Sequence, residues 1–302
     1  MSVTILAQQD ATATMLLEQI IREHSKTFYF ATALLPPTKR YAIRALYAFC
    51  RASDDLVDRE QTTLNDLNAW RASVGLSSDE QTNPVLKAWA QVREAYPINR
   101  EYEKELLDGI EMDLNFQFYP TFEALQTYCY RVASTVGLLA LPIIGLAKGA
   151  SFQQAAPYAI QLGIALQMTN ILRDIGEDAQ RNRVYLPVED LKRFSLTPQE
   201  ILERVYDERF IELMKFEISR TRALYLQALP GIAYLSETAR PAVGAAALLY
   251  RAILDEIEKN EYRVYSIRAH TSGWKKIALL PGILWKVKQL SNSKKILQTQ
   301  EK

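Results

Sequence analysis

Two clusters of acidic residues, about 120 positions apart, are the part of this sequence best suited to chemistry. The first cluster contains Asp54 and Asp58, and the second contains Asn170, Asp174 and Asp178. On an α-helix, residues four apart lie on the same face, about 6 Å apart along the axis. Each cluster is therefore expected to present its oxygen atoms on one side of a helix. Two such faces turned toward each other would form a cleft lined by carboxylates.

The residue types in these clusters indicate a site for both a metal ion and a diphosphate. Carboxylate and amide oxygens are preferred by hard cations such as Mg²⁺ and Mn²⁺, whose coordination is completed by water and phosphate oxygens. The chain has two histidines, His24 and His270, and neither stands in a Glu-x-x-His sequence, which disfavours zinc and di-iron sites. Arg51 and Arg173 stand beside the carboxylates and can donate to diphosphate oxygens. The pattern predicts a site that removes a diphosphate from carbon.

Two solvated helix faces with ordinary salt bridges would produce a similar pattern. The flanking sequence favours a buried site instead. Gln167 and Asn170 interrupt the apolar run 162–172, and Tyr47 interrupts the run 42–57. Buried polar groups need partners, and metal ions, water and diphosphate would supply them.

Composition and periodicity predict an all-α protein. Of the 302 residues, 48% are hydrophobic and 24% are charged, which suffices for a sizeable core. Only 11 glycines occur, and alternating strand-like segments are hard to find. We interpret residues 1–302 as one domain, and we expect residues 1–13 to be disordered. Apolar periodicity predicts helices over 14–35, 38–60, 84–95, 99–118, 121–135, 136–148, 152–180, 197–228, 231–237, 240–260 and 272–290.

The net charge and the lack of recognisable targeting segments argue against several classes of protein. A formal net charge of +1 provides no electrostatic reason to expect a nucleic-acid partner. No basic segment precedes an apolar core at the N-terminus, so no secretory or transit signal is predicted. The longest apolar run, 136–147, is shorter than the roughly 20 residues of a membrane-spanning helix. Cys50 and Cys129 have no CxxC spacing and are expected to be reduced. These observations predict a cytoplasmic protein.

Residues 273–302 form a basic, amphipathic tail in sequence. They contain seven lysines and one acidic residue, a net charge of +6, whereas the whole chain carries +1. Trp274, Leu284 and Trp285 add apolar character beside that charge. The pattern predicts peripheral association with an anionic lipid surface, and a solvated, frayed tail is the alternative.

Four motifs resemble those of the squalene and phytoene synthase family, the head-to-head prenyl synthases. They are His-Ser-Lys-Thr-Phe at 24–28, Tyr-Ala-Phe-Cys-Arg-Ala-Ser-Asp-Asp-Leu-Val-Asp at 47–58, Tyr-Cys-Tyr-Arg-Val-Ala-Ser-Thr-Val-Gly at 128–137, and Gln-Met-Thr-Asn-Ile-Leu-Arg-Asp-Ile-Gly-Glu-Asp at 167–178. The resemblance runs from about residue 16 to about residue 268, and the order and spacing of the motifs are specific. Within the family, segments 177–187 and 253–257 most resemble phytoene synthases.

The resemblance implies a single-domain helical bundle of the isoprenoid-synthase type around a central cavity. It implies that two geranylgeranyl diphosphates condense through prephytoene diphosphate to phytoene, releasing diphosphate, in carotenoid biosynthesis. Two or three Mg²⁺ or Mn²⁺ ions are implied as cofactors, and NADPH is not expected. The implied metal ligands are Asp54, Asp58, Asn170, Asp174 and Asp178.

The resemblance also implies roles for individual residues. The catalytic set is Asp54, Asp58, Asp174, Asp178, Tyr47 and Arg51. The substrate-binding set is Ser25, Lys26, Phe28, Tyr47, Arg51, Val132, Val136, Gln167, Asn170, Arg173, Tyr250 and Arg268. Candidates for the wall of an apolar tunnel, which an ordinary core would resemble, are Phe28, Val132, Val136, Leu139 and Leu166. Released diphosphate or Tyr47 would accept the final proton.

Two alternatives stay open at this point. A C30 synthase of the dehydrosqualene, squalene or hydroxysqualene type would use farnesyl diphosphate, and a reductive squalene synthase would also need a nicotinamide cofactor. A non-catalytic relative would serve as an assembly factor, although such a protein is expected to lose the metal-binding carboxylates. We expect a monomer, but the sequence determines neither oligomeric state, nor substrate chain length, nor the stereochemistry of the product.

Overall fold

The computed structural model describes residues 11–57 and 62–300, with side chains described through residue 292. These ranges contain helices and no strand, which confirms the all-α prediction. The helices are α1 (Ala11–His24), α2 (Lys26–Thr32), α3 (Pro37–Val57), α4 (Leu64–Gly75), α5 (Pro84–Ala95), α6 (Glu101–Leu114), α7 (Phe122–Cys129), α8 (Thr135–Ile144), α9 (Phe152–Gln180), α10 (Val188–Arg193), α11 (Pro198–Leu202), α12 (Glu208–Ala228), α13 (Arg240–Lys259) and α14 (Gly273–Gln300). A π-helical segment, Tyr130–Ser134, precedes α8, and a 3-10 segment, Leu229–Tyr234, follows α12.

The predicted helix 14–35 is wrong as a single element, because it is divided into α1 and α2 at Ser25. The Ser25 hydroxyl accepts a hydrogen bond from the backbone N–H of Phe28 at 3.3 Å, so Ser25 is the N-cap of a new helix. Helix α1 begins at Ala11, so residues 11–13 are helical and not disordered. Residues 1–10 lie outside the described ranges.

Two further differences between the predicted and the observed helices also arise from side-chain caps. The predicted helix 197–228 is divided into α11 and α12, because Asp207 caps α12 by accepting from the backbone N–H groups of Arg209 and Phe210. Helix α4 was not predicted, and it begins with a capping box in which Thr63 and Asp66 satisfy each other's backbone N–H groups. Local caps therefore decided boundaries that apolar periodicity did not show.

One apolar stretch, Phe122–Ile144, is long and apolar enough to cross a membrane by length and composition alone, which the sequence analysis did not predict. Half of its most apolar 18-residue window is buried inside the fold. Its segments pack against α3, α6 and α9. These contacts are those of a core helix, and length and composition alone are weak grounds for a membrane span.

The two acidic helices belong to different apolar cores. Buried residues of α3 pack with those of α1, α5, α6 and α8, where the rings of Phe49 and Trp89 stack at 5.5 Å. Buried residues of α9 pack with those of α7, α12 and α13. Gly163 of α9 lets the π-helical segment approach, since a Cβ there would lie 2.5 Å from the Cα of Ser134. The seam between these cores is where the faces of α3 and α9 can line a cleft.

The segment between α13 and α14, residues 260–272, lies directly on α9, and we call it the strap. A Cβ atom on Gly176 would lie 2.6 Å from the carbonyl oxygen of Val264 and 2.8 Å from the Cα of Tyr265. Backbone atoms cannot yield to such a contact without moving the whole segment. The far end of the strap is anchored by Thr271, whose hydroxyl donates to the carbonyl of Leu249 at 3.2 Å.

We predict that Gly176→Ala lowers the free energy of unfolding by about 1–3 kcal/mol, because the added methyl group forces the strap away from α9. Alanine otherwise favours a helix by about 1 kcal/mol over glycine, so the sign of the change separates the two effects. The measurement is urea denaturation followed by circular dichroism. Gly75→Ala, where a Cβ would meet nothing within 4 Å, is the matched control. An unchanged or increased stability of Gly176→Ala would show that the strap does not need this contact.

Candidate active site

Helix α3 carries the first acidic cluster on a half-buried stripe. Ile43, Tyr47 and Asp54 are half-buried. The residues between Ile43 and Tyr47 are buried, whereas most of those next to Asp54 are also half-buried. Their spacings of four and seven residues, about one and two helical turns, place them on one side of the helix. The stripe changes from apolar at Ile43 to acidic at Asp54. Asp58, the next predicted ligand on this stripe, lies outside the described residues.

Helix α9 repeats this arrangement with the second cluster. Half-buried residues recur along it at Leu162, Leu166, Asn170, Asp174 and Asp178, while most intervening residues are buried. The stripe is apolar in its first half and polar in its second. Both acidic helices therefore present one face that runs from hydrocarbon to carboxylate in the chain direction.

Three aromatic side chains connect the two acidic helices. The ring centroids of Phe28 and Tyr47 are 6.1 Å apart, and those of Phe28 and Tyr250 are 5.1 Å apart. Tyr250 in turn lies within side-chain hydrogen-bonding range of Arg173. The structure thus brings Tyr47 of α3 and Arg173 of α9 to the same site through α2 and α13. Burial, followed by the nearby Tyr250, raises the pKa of Tyr47, so its phenol is neutral at physiological pH.

Asp174 is compensated by two arginines. Arg173 donates from Nε to Oδ1 at 2.8 Å, and Arg268 of the strap donates from Nε to the same oxygen at 2.8 Å. Arg268 also pairs with Glu177 at 3.0 Å. Burial favours the neutral form of Asp174, but the two guanidinium groups outweigh it and lower the pKa of this carboxyl. Asp174 is therefore ionised at neutral pH.

The pKa of Asp178, one turn further along α9, is shifted in the opposite direction. Burial first, and the charge of Asp174 second, raise the pKa of Asp178 to about 8, although Arg183 and Arg181 oppose the shift. Asp178 borders a small cavity of about 10 Å³, which Arg183 and Tyr185 also line. Such a volume is close to the minimum for a single water.

The sequence analysis missed Asp113, which lies near Asp178. Asp113 accepts hydrogen bonds from the hydroxyls of Tyr128 at 2.9 Å and Tyr185 at 2.8 Å. Arg183 donates to its backbone carbonyl at 3.2 Å. Tyr128 and Tyr185 lie inside the motifs quoted above, but Asp113 stands alone at the end of α6. Only the contacts between α6, α7 and the segment after α9 identify it.

The donor set on these helices fits a hard cation in its chemistry. The Oδ1 atom of Asn170 is buried without a hydrogen-bond partner, while its Nδ2 donates to Gln167 at 3.3 Å. An unpartnered amide oxygen one turn from the ionised carboxylate of Asp174 suits Mg²⁺ or Mn²⁺. Within residues 11–57 and 62–300, however, no three His, Cys, Asp or Glu side chains lie close enough together to hold a metal. Asp174 instead turns toward its arginines.

The other predicted site residues differ in their burial and in their partners. Phe28, Val132 and Leu166 are half-buried against the core around α9, and Val136 is half-buried against the core around α3, so each retains some surface for a channel wall. Leu139 is fully buried in the core around α3 and presents no surface there. Arg51 pairs with Asp55 on its own helix, and its Nε is buried without a partner. The other three predicted residues are Ser25, a half-buried helix cap, Lys26, which is exposed, and Arg268, which is half-exposed.

We predict that Asp113→Ala lowers the free energy of unfolding by about 2–3 kcal/mol, because two buried tyrosine hydroxyls lose their acceptor. Chemical denaturation measures the change. Asp108→Ala is the control on the same helix, since Asp108 forms a partly exposed pair with Arg71, and such pairs contribute about 0–1 kcal/mol. Equal losses in the two variants would show that the tyrosine pair does not depend on Asp113.

Comparisons with known proteins identify the family of this chain. Residues 21–275 match the squalene/phytoene synthase family. A phytoene synthase from Arthrospira platensis is 43% identical over 279 residues, covering 88% of this chain and 90% of that protein. A 15-cis-phytoene synthase from Synechocystis sp. is also 43% identical over 279 residues, covering 88% of this chain and 82% of that protein.

Solved structures show the same fold. The crystal structure of a dehydrosqualene synthase in complex with ligand matches with a TM-score of 0.84 at 31% identity, covering 92% of this chain and 97% of that chain. The crystal structure of squalene synthase HpnC from Alicyclobacillus acidocaldarius matches with a TM-score of 0.74 at 23% identity, covering 85% of this chain and 98% of that chain. Because the family match spans most of the chain and the curated relatives are 43% identical, the chain belongs to the squalene/phytoene synthase family.

Proposed function

We propose that this chain is a prenyltransferase that condenses two geranylgeranyl diphosphates head to head into phytoene. The observation that carries the proposal is the pair of faces on α3 and α9, each running from apolar to acidic and joined by the contacts of Phe28 with Tyr47 and Tyr250. The identity to curated phytoene synthases supports the choice of substrate.

The polar ends of both faces would bind the diphosphate groups. The residues that would hold Mg²⁺ or Mn²⁺ are Asp54, Asn170, Asp174 and Asp178, together with Asp58. Bound divalent cations would neutralise the charge that develops on the leaving diphosphate. Arg51, Arg173 and Arg268 would donate hydrogen bonds to its oxygens, and Arg173 is already oriented by Tyr250 and Asp174.

The apolar ends of the faces would hold the prenyl chains and exclude water. Loss of diphosphate leaves an allylic cation, which the double bond of the second substrate attacks, and loss of a first proton closes the cyclopropane ring of prephytoene diphosphate. A second loss of diphosphate opens the cyclopropane ring, and loss of a proton completes phytoene. Half-buried Phe28, Val132, Val136 and Leu166 would shield these cations. Because Tyr47 is a neutral phenol, released diphosphate is the better acceptor of the final proton.

A C30 reaction on farnesyl diphosphate is the second candidate. The match to a dehydrosqualene synthase structure at a TM-score of 0.84 supports it, because a shared fold can accommodate either chain length. The curated phytoene synthases are more similar in sequence, at 43% against 31% identity, and this difference favours the C20 substrate.

We expect purified protein with geranylgeranyl diphosphate and Mg²⁺ to form phytoene without a nicotinamide reductant, as identified by mass spectrometry. Asp174→Asn should reduce the rate by about 100-fold or more, because charge stabilisation at the leaving group is lost. Farnesyl diphosphate is the parallel substrate. A C30 product alone would replace the proposal by the second candidate. No product from either substrate would favour a non-catalytic role.

We also propose that α14 rests on a membrane surface, from which such apolar substrates could enter. Its inner face packs on α13 and the 3-10 segment through Ile283 and Val287. Its outer face exposes large apolar residues, with Trp274 at 84% and Trp285 at 65% of full exposure. Lys288 is exposed on the same side. An exposed apolar face beside lysines is complementary to anionic lipid.

We expect the double substitution Trp274→Ser and Trp285→Ser to reduce binding to vesicles that contain anionic lipid by about tenfold or more, since each indole buries a large apolar area on insertion. Vesicle flotation measures the bound fraction. Leu226→Ser removes another exposed apolar side chain, on α12, and should have no effect. Unaltered flotation of the tryptophan variant would reject the membrane proposal and leave the reaction unaffected.

A further inference from the structure

Two carboxylates are buried together where α10 packs on α12. Glu217 of α12 has 0% of its surface exposed, and Asp190 of α10 has 4%. Both accept hydrogen bonds from the same guanidinium nitrogen, Nη1 of Arg220, which lies 3.1 Å from Oε1 of Glu217 and 2.7 Å from Oδ2 of Asp190. Nη2 of Arg220 also donates to Asp190 at 3.1 Å. None of these residues belongs to the site described above.

This cluster has one positive charge too few for two ionised carboxylates. Among the side chains described through residue 292, Arg220 is the only cation that pairs with Glu217 or Asp190. Its guanidinium carbon lies 4.1 Å from the ring centroid of Phe122 and 4.6 Å from that of Phe216, so apolar rings cover it. Burying a second negative charge without a counter-cation is strongly unfavourable. One carboxyl is therefore expected to keep its proton and to donate it in a hydrogen bond to the other.

Glu217 is the carboxyl that keeps the proton. Burial raises the pKa of Glu217 well above its ordinary value, Arg220 opposes the shift, and the charge of Asp190 adds to it. Asp190 is the better paired of the two, since it accepts from both Nη atoms of Arg220. The other charged groups on α10 are Glu189, which acts on Arg220, and Arg193, which packs on α12. Neither supplies a counter-cation to Glu217.

Helix α10 connects this cluster to the acidic end of α9. Residues 181–187 join the two helices, and they carry Arg183 and Tyr185, which line the small cavity at Asp178. The pair of Asp190 with Arg220 attaches α10 to α12 directly after this segment. A change of charge in the cluster would therefore act on the cavity through α10.

We propose that Glu217 is a positioning residue, whose neutral carboxyl donates to Asp190, holds α10 on α12 and keeps residues 181–187 at the acidic end of α9. Loss of this proton in alkaline solution places two negative charges against one guanidinium and loosens α10. Because folding raises the pKa of this carboxyl, stability falls as the pH rises and the proton is lost. The effect on the reaction rests on the proposed function, whereas the effect on α10 does not.

The test uses Glu217→Gln, which is neutral at every pH and can donate to Asp190 as the protonated acid does. Hydrogen–deuterium exchange of residues 181–193, followed by mass spectrometry, compares the two proteins at the same pH. We expect equal exchange at about pH 7 and about tenfold faster exchange in the unmodified protein at about pH 9, since one linked proton changes the opening equilibrium by up to tenfold per pH unit. If Glu217→Gln fails to fold, or exchanges faster at neutral pH, the ionised form holds α10 and the proposal is wrong.

Glu212→Gln is the matched control. Glu212 lies on the same helix and pairs with Lys215, three residues on, at 2.6 Å, but this pair is exposed. Exchange in Glu212→Gln should equal that in the unmodified protein at both pH values. Equal exchange in the unmodified protein and in Glu217→Gln at alkaline pH would contradict the proposal.

Asp190→Asn tests the charge count from the other side of the cluster. One carboxylate then faces one guanidinium, so the cluster is neutral without a shared proton. We expect the ratio of its exchange to that of Glu217→Gln to be the same at neutral and at alkaline pH. A ratio that rises with pH would show that the imbalance between Glu217 and Asp190 is not the cause.

Kinetics connect the cluster to the reaction. The kcat for phytoene formation should fall more steeply from neutral to alkaline pH in the unmodified protein than in Glu217→Gln, with equal values at neutral pH. Identical pH profiles would reject the positioning role. Because exchange needs no substrate, the expected exchange pattern in a protein that forms no phytoene would support the control of α10 by Glu217 and reject the proposed function.

Discussion

The active site depends on compensating negative charge on the inner face of a helix. Burial alone would raise the pKa of Asp174, and the guanidinium groups of Arg173 and Arg268 reverse that effect. Arg268 reaches Asp174 only because the strap lies on α9, and the strap lies there because Gly176 has no side chain. A steric property of Gly176 thus lets a second guanidinium group, beside that of Arg173, compensate a carboxylate two positions away.

The charge of Asp178, on the same helix, is not compensated in this way. Burial and the charge of Asp174 raise the pKa of Asp178, so its ionised form is unfavourable for folding by itself. In the proposed complex, divalent cations would supply the missing positive charge. Sites that bind charged ligands commonly carry such a cost in stability, because the ligand supplies the missing charge.

Helical periodicity separates the polar and apolar parts of the cleft. On α3 and α9, the same face carries apolar residues in its first half and carboxylates near its end. The two helices belong to different cores, and the contacts of Phe28 with Tyr47 and Tyr250 connect them. This arrangement suits a substrate with a long hydrocarbon chain and a charged head.

The sequence by itself determined the helical class, the extents of α5, α9 and α13, and the residues that share the faces of α3 and α9. It could do so because a period of 3.6 residues relates sequence to helix face without tertiary information. Helix breaks at Ser25 and Asp207 were missed, since single side-chain caps override periodicity locally.

Only the tertiary structure identified Asp113 with its tyrosines and the contact of Gly176 with the strap. Each of these features joins segments that are far apart in the chain. Burial and the loss of partners arise only when such segments pack together, so no local pattern of residues could show them.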